Sequence, residues 1–273
     1  MKNFWLALSI LLTIIVVGVA VLIIKNTTSK STPKTVLPPV TVFQPDQQLI
    51  PKNVPKTTQS FHPPLIVQKT KGKIVCLDPG HSTSTIGASA NGVTEITVNF
   101  QVAQKLKQKL EEKGIKVVMT KSQIFEEVSN EQRAAIANRA KSNFFLRLHC
   151  DGGKGSGITF YYPSQVGEIG GKTGPTTSVI QESAKAAKLI HQATLVKLDG
   201  QIFDNGIKTD RQTLIGAQQG ALTGSIYSEV PVVLVEMVFL TDKKDAAFIS
   251  KPAGQEKMVF ALAKGIEHYL NTP

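Results

Sequence analysis

Residues 73–119 read KIVCLDPGHSTSTIGASANGVTEITVNFQVAQKLKQKLEEKGIKVVM. Two short runs rich in β-branched residues, KIVCLD and IKVVM, enclose a segment of helical period. Ile96, Ala103, Leu106 and Leu110 recur on one face, Thr94 stands where an N-cap belongs, and Gly114 stands where a helix stops. Strand, helix, strand in that order predicts a βαβ unit, whose two strands run parallel in one sheet.

The same alternation continues to the C-terminus. A helix over residues 130–141 precedes the strand FFLRLH, and GITFYY reads as another strand. A helix over 178–196 turns Val179, Ala186, Leu189, Ile190 and Ala193 inward. Residues 214–222 read as helical, PVVLVE as a buried strand, and 252–270 as a closing helix with Pro252 in its first turn. The expected fold is α/β: a single domain with a mostly parallel sheet of about six strands, flanked by helices on both faces. Residues 165–177, with four glycines and one proline, read as a loop bordering a cleft. Asp204, Lys208, Asp210 and Arg211 read as one solvated polar loop.

Upstream of Gly72 the composition changes. Residues 4–24, FWLALSILLTIIVVGVAVLII, hold 21 residues without a charge, about 31 Å as a helix and enough to cross a bilayer. That run exceeds the ~7–15 apolar residues of a cleavable signal, so residues 1–25 are expected to be an N-terminal transmembrane anchor or an uncleaved signal. Residues 26–71 contain eight prolines and many Thr and Ser, the composition of a flexible linker. The folded, catalytic part is expected over 72–271. Of the net charge of +11, +7 lies in residues 1–71 and +4 in the rest. The N-terminal lysines stand singly without interleaved aromatics, which suits an anionic membrane or envelope polymer; no nucleic-acid partner is expected. Apolar content of 41% excludes a disordered chain, and two cysteines, Cys76 and Cys150, exclude a disulfide scaffold. Both are expected as buried free thiols.

In open α/β sheets ligands collect beyond the carboxyl ends of the strands. His81 follows the first strand, His149 ends FFLRLH, Glu236 ends PVVLVE, and Glu95 opens the helix that leaves the first strand's exit loop. Two histidines and a carboxylate are the minimum set for a catalytic zinc, which keeps a further position for water. The set lacks the local HExxH spacing, so the residues alone leave two readings open: a zinc site, or inert strand-end histidines.

IVCLDPGH, NGVTE, LKQKLEEKGIKVVMTK, EQRAAIANRA, FFLRLHCD and PVVLVEMVFLTD resemble, in order and spacing, the zinc-dependent N-acetylmuramoyl-L-alanine amidases that cleave bacterial peptidoglycan. The resemblance covers about 72–271. It implies Zn2+ held by His81, Glu95 and His149, with Glu236 as the catalytic glutamate. It also implies hydrolysis of the amide between N-acetylmuramic acid and L-alanine of the stem peptide. Arg133 and Asn138, in the R-x-x-x-A-N helix, are expected to be supporting structure. The chain departs from the family at Arg147, where a small residue is usual, at Cys150-Asp151, and at Val238 after the glutamate. Arg147 shares a strand face with His149. Pairing with Asp151, contact with a substrate carboxylate, or crowding of the zinc are its three readings.

The peptidoglycan substrate puts the domain outside the cytoplasmic membrane, on the periplasmic or cell-wall side, tethered by a single pass. An activating protein partner is left unnamed. Competing readings are a non-catalytic wall-binding or regulatory homologue and a zinc hydrolase of another wall-peptide amide. His191 and His268 read as surface residues, and His62 lies in the linker.

Overall fold

In the computed structural model, which describes residues 70–273, the opening βαβ unit forms as the sequence predicts. Strand β1 (Ile74–Pro79) leads through the small hairpin β2 (Ser89–Ala90) and β3 (Val93–Thr94) into α1 (Glu95–Glu111) and then β4 (Lys116–Met119). The chain continues with α2 (Asn130–Arg139), β5 (Phe144–Asp151), β6 (Ile158–Tyr162), β7 (Gly167–Ile169) and β8 (Lys172–Gly174). It ends with α3 (Thr177–Leu198), β9 (Asp204–Thr209), α4 (Leu214–Gln219), α5 (Thr223–Ile226), β10 (Val232–Phe239), α6 (Lys243–Ile249) and α7 (Pro252–Asn271). Thr94 occupies the N-cap position of α1, although its side chain makes no capping bond. Pro252 sits in the first turn of α7, where a missing N–H costs nothing.

Six strands form one sheet in the order β4-β1-β5-β10-β6-β9. β4, β1, β5 and β10 run parallel, β6 is antiparallel to β10, and β9 is parallel to β6. Strand periodicity divides the side chains between two unequal cores. Val75, Leu77, Phe144, Leu146, Leu148, Val233 and Val235 belong to the larger, with residues of α1, α3 and α7. Cys76, Phe145 and Val232 belong to the smaller, with Ala134 and Ala137 of α2. The two cysteines are therefore on opposite faces, both buried and unpaired.

Two expectations change. Residues 165–177 are not a plain loop: β7 and β8 pair as an antiparallel hairpin within them. Asp204 to Arg211 is not one solvated loop either. Residues 204–209 form edge strand β9 against β6, where backbone pairing outweighs polar composition, and Asp210 is buried in the 3-10 turn that follows. The anchor over residues 1–25 and all but the last two residues of the linker over 26–71 lie outside the described residues. Among the described residues no helix is long and apolar enough to cross a membrane.

Candidate metal centre

Register and alternation assemble the site on the face with the thinner core. Phe145, Arg147 and His149 alternate with core residues on β5, as do Val232, Leu234 and Glu236 on β10. Parallel pairing places Glu236 beside His149, and Arg147 between Leu234 and Asp78. Three strands thus present an aspartate, an arginine, a histidine and a glutamate in one patch.

Glu95 is the hub. As the first residue of α1 it is 3% exposed, and its Oε1 lies 2.8 Å from His81 Nε2 and 3.0 Å from His149 Nδ1. The Cys150 N–H donates to Oε1 and the Ala88 N–H to Oε2, which fixes the carboxylate plane. One donor atom from each of His81, Glu95 and His149 falls within 4.8 Å of the others. Burial alone would raise the Glu95 carboxyl, but the His149 and His81 contacts outweigh it and hold it well below the usual carboxylate range. Burial pushes His149 down despite Glu95, in the direction of the neutral imidazole that ligates metals. A Cβ on Gly87 would overlap Glu95 Oε2 and His81 Nε2, and one on Gly80 would overlap the His149 ring. Glycine at both positions leaves space around the donors. Two imidazole nitrogens aimed at one carboxylate oxygen, with glycines around them, fit a zinc ion with three protein ligands.

His81 needs a dedicated support. Its backbone is left-handed, φ 70°, a conformation that disfavours non-glycine residues. Arg133 supplies the grip with all five of its N–H groups. Nε donates to the Val128 carbonyl, Nη1 to Asp78 Oδ1 and the Pro79 carbonyl, and Nη2 to the His81 carbonyl and Ser82 Oγ. Lys121 Nζ adds a second bond to the His81 carbonyl at 3.0 Å; burial and the nearby Arg133 charge bring this lysine down to about 8. Asp78, fully buried, also accepts from Thr120 Oγ1 and from Arg147 Nε. Burial would raise its carboxyl, but the two guanidinium groups outweigh it and hold Asp78 well below the usual range. Arg133 and Asn138 are both structural, as expected: Asn138 bonds the Tyr227 carbonyl and the Glu229 N–H. Arg147 is paired too, but with Asp78 across the sheet and with Asn130, not with Asp151. Asp151 turns instead to the Gly153 N–H.

Glu236 and His149 each present a buried atom without a hydrogen-bond partner, Oε2 and Nε2. Burial, then the charges of Glu95 and Asp151, push the Glu236 carboxyl well above 4.5. A cleft of about 740 Å³ reaches from His81, His149 and Glu236 past Arg147 to Asn130 and Ile215. A second lobe of about 470 Å³ leaves the same three residues toward Asp151, Tyr161 and Leu214. Leu214 and Ile215 are exposed apolar residues at the start of α4 on this rim; sequence periodicity marked them only as helix. Nor is the orphaned Oδ1 of Asp210 visible in any local pattern. His191 is less of a surface residue than expected, since it bonds Asp204 at 2.8 Å and stacks edge-on against Phe160.

Comparison with known proteins gives concordant matches. The family model for N-acetylmuramoyl-L-alanine amidase matches residues 75–268. The uncharacterized protein YqiI of Bacillus subtilis is 28% identical over 202 residues, 73% of this chain and 85% of that protein. The N-acetylmuramoyl-L-alanine amidase LytC of Bacillus subtilis is also 28% identical, over 72% of this chain but only 36% of its own length. Among solved structures, the N-acetylmuramyl-L-alanine amidase Ami1 from Mycobacterium smegmatis shares the fold, with a TM-score of 0.62 at 22% identity, covering 75% of this chain and 99% of that one.

Proposed function

The chain belongs to the N-acetylmuramoyl-L-alanine amidase family, and from that premise we propose that residues 72–271 are a zinc amidase domain. Its substrate is bacterial peptidoglycan, and the bond cut joins the lactyl group of N-acetylmuramic acid to L-alanine of the stem peptide. The observation that carries this reading is the convergence of His81, Glu95 and His149 on one carboxylate oxygen, with the unpartnered Glu236 on the neighbouring strand. His81, Glu95 and His149 are the zinc ligands and Glu236 is the catalytic acid–base. Zinc, when bound, supplies Lewis acidity, polarising the amide carbonyl and easing deprotonation of water.

Everything else is done by the chain's own groups. Glu236 takes a proton at its buried carboxylate and returns it to the leaving alanine nitrogen, a role that suits a carboxyl raised by burial. Glu95 stays ionised between the two imidazoles and keeps both rings in position. The two cleft lobes leave room for glycan on one side of the scissile bond and peptide on the other. We further propose that residues 1–25 anchor the protein in the cytoplasmic membrane and that residues 26–71 tether the domain on the wall side, consistent with the uncharged run at 4–24 and the proline-rich segment after it.

Digestion of purified sacculi by the full-length protein tests the activity. The expected products are free muramic lactyl carboxyls and new L-alanine amino termini, abolished by chelator and restored by zinc. Sacculi left intact, or cut at a glycosidic bond or a different amide, would overturn the reading.

A further inference from the structure

Arg147 does more than its ion pair requires. Its Nε donates to Asp78 Oδ2 at 3.0 Å and its Nη2 to Asn130 Oδ1 at 2.6 Å, while Nη1 makes no hydrogen bond among the described residues. Asp78 is shared, since its other oxygen accepts from Arg133 and Thr120. Two guanidinium groups therefore divide one carboxylate. Neither Asp210, whose Oδ2 accepts from the Leu222 N–H, nor Glu236 accepts a hydrogen bond from Arg147. Gly224 lets the backbone of α5 close over the head group; a Cβ there would lie 2.6 Å from Nη1. The guanidinium is thus fixed in place with one donor edge unspent, and it lines the cleft together with His149 and Glu236.

Resting on the amidase reading above, we propose that Arg147 is a specificity-determining residue that binds a carboxylate on the peptide half of the substrate, carried by the residue directly after the alanine. Spacing favours that residue. Arg147 precedes His149 by two positions on β5, about 6.6 Å along the strand. An extended peptide advances roughly 3.3–3.6 Å per residue. With the scissile amide at the level of His149 and Glu236, a group one residue past the alanine falls beside Arg147. The charge of the two lobes points the same way. The other lobe presents Asp151, which repels an acidic peptide. The Arg147 side carries Glu127 as well, but it is lined by two guanidinium groups, Arg133 and Arg147, whereas the other lobe is lined by no Lys or Arg.

Two ligands separate this proposal from the reading it rests on: muramoyl-L-alanyl-D-glutamate, with a free α-carboxyl, and muramoyl-L-alanyl-D-isoglutamine, in which that carboxyl is an amide. Calorimetric titration into the zinc-loaded full-length chain carrying Glu236→Gln is expected to show the acid binding about 10-fold or more tighter than the amide, as for a charge-assisted hydrogen bond. Arg147→Gln in that background is expected to bring the ratio to within about twofold, with Arg147→Lys intermediate. Asn130→Asp, which neutralises the guanidinium without removing it, should also shrink the ratio and serves if Arg147→Gln does not fold. Equal binding of acid and amide by the parent chain, or an unchanged ratio in either variant, would overturn the role of Arg147. Cleavage of both ligands by the chain with Glu236 intact would still uphold the amidase reading in that event.

Discussion

His149 and His81 meet the same oxygen of Glu95 by different means. His149 belongs to β5, a central strand with a parallel neighbour on each side, so its position is set by backbone pairing and strand alternation. His81 belongs to no strand or helix. It stands in a left-handed turn, and its carbonyl is held by Arg133 and Lys121. One imidazole is placed by the sheet; the other is placed by a tertiary clamp. A left-handed non-glycine residue costs about 1–3 kcal/mol, and charge-assisted hydrogen bonds of about 1.5–3 kcal/mol each can offset that. The difference teaches where the site is vulnerable. Damage to β5 is expected to disturb the sheet itself, whereas damage to the clamp is expected to free the His81 turn first.

The largest effect is expected where the distinction vanishes. His81→Ala removes one of the three proposed zinc ligands, so metal analysis of the purified variant should find less than stoichiometric zinc, with hydrolysis lost alongside it. Full zinc retention would break the assignment. Arg133→Met sharpens the comparison, because it leaves every ligand in place. Five donors are lost and Asp78 keeps only Arg147 and the Thr120 hydroxyl, so a loss of about 3–5 kcal/mol is expected in denaturant titration. Zinc affinity should fall about 10–100-fold, the usual cost of removing a group that orients a ligand. A variant equally destabilised but with unchanged zinc affinity would show that the clamp serves stability alone.

The smallest effect is a pH slope. Asp78 is held below the ordinary carboxylate range in the folded state, so its contribution is fully present above its unfolded value of about 4 and is lost as pH falls through the folded one. Chemical denaturation at a series of pH values should therefore show stability declining below about pH 4. Asp78→Asn should flatten that decline, by no more than about 1.4 kcal/mol per pH unit. An unchanged slope would mean that other carboxylates dominate acid unfolding.

What the sequence reveals follows the same division. The sheet is legible because its strands are short apolar runs between helical segments, and His149 and Glu236 are legible because they end such runs. The clamp is not. The acceptors of Arg133 come from residues 78–82 and 128, and only folding brings them to one side chain. Arg147 shows why: the nearest acid in sequence is Asp151, yet its partner is Asp78, one strand away at the same register level. Register between strands is not written in any local pattern. The hairpin of β7 and β8 escapes notice because three-residue strands among four glycines carry no alternation. Strand β9 escapes because an edge strand can be polar, its hydrogen bonds being supplied by β6.

Three residues, His81, Glu95 and His149, are proposed to hold metal, and one, Glu236, to move protons. Glu236→Gln tests this division most directly, with zinc content and hydrolysis measured on the same sample. The predicted result is about one zinc per chain with turnover down about 10²–10⁴-fold; turnover near that of the parent chain with zinc bound would contradict it.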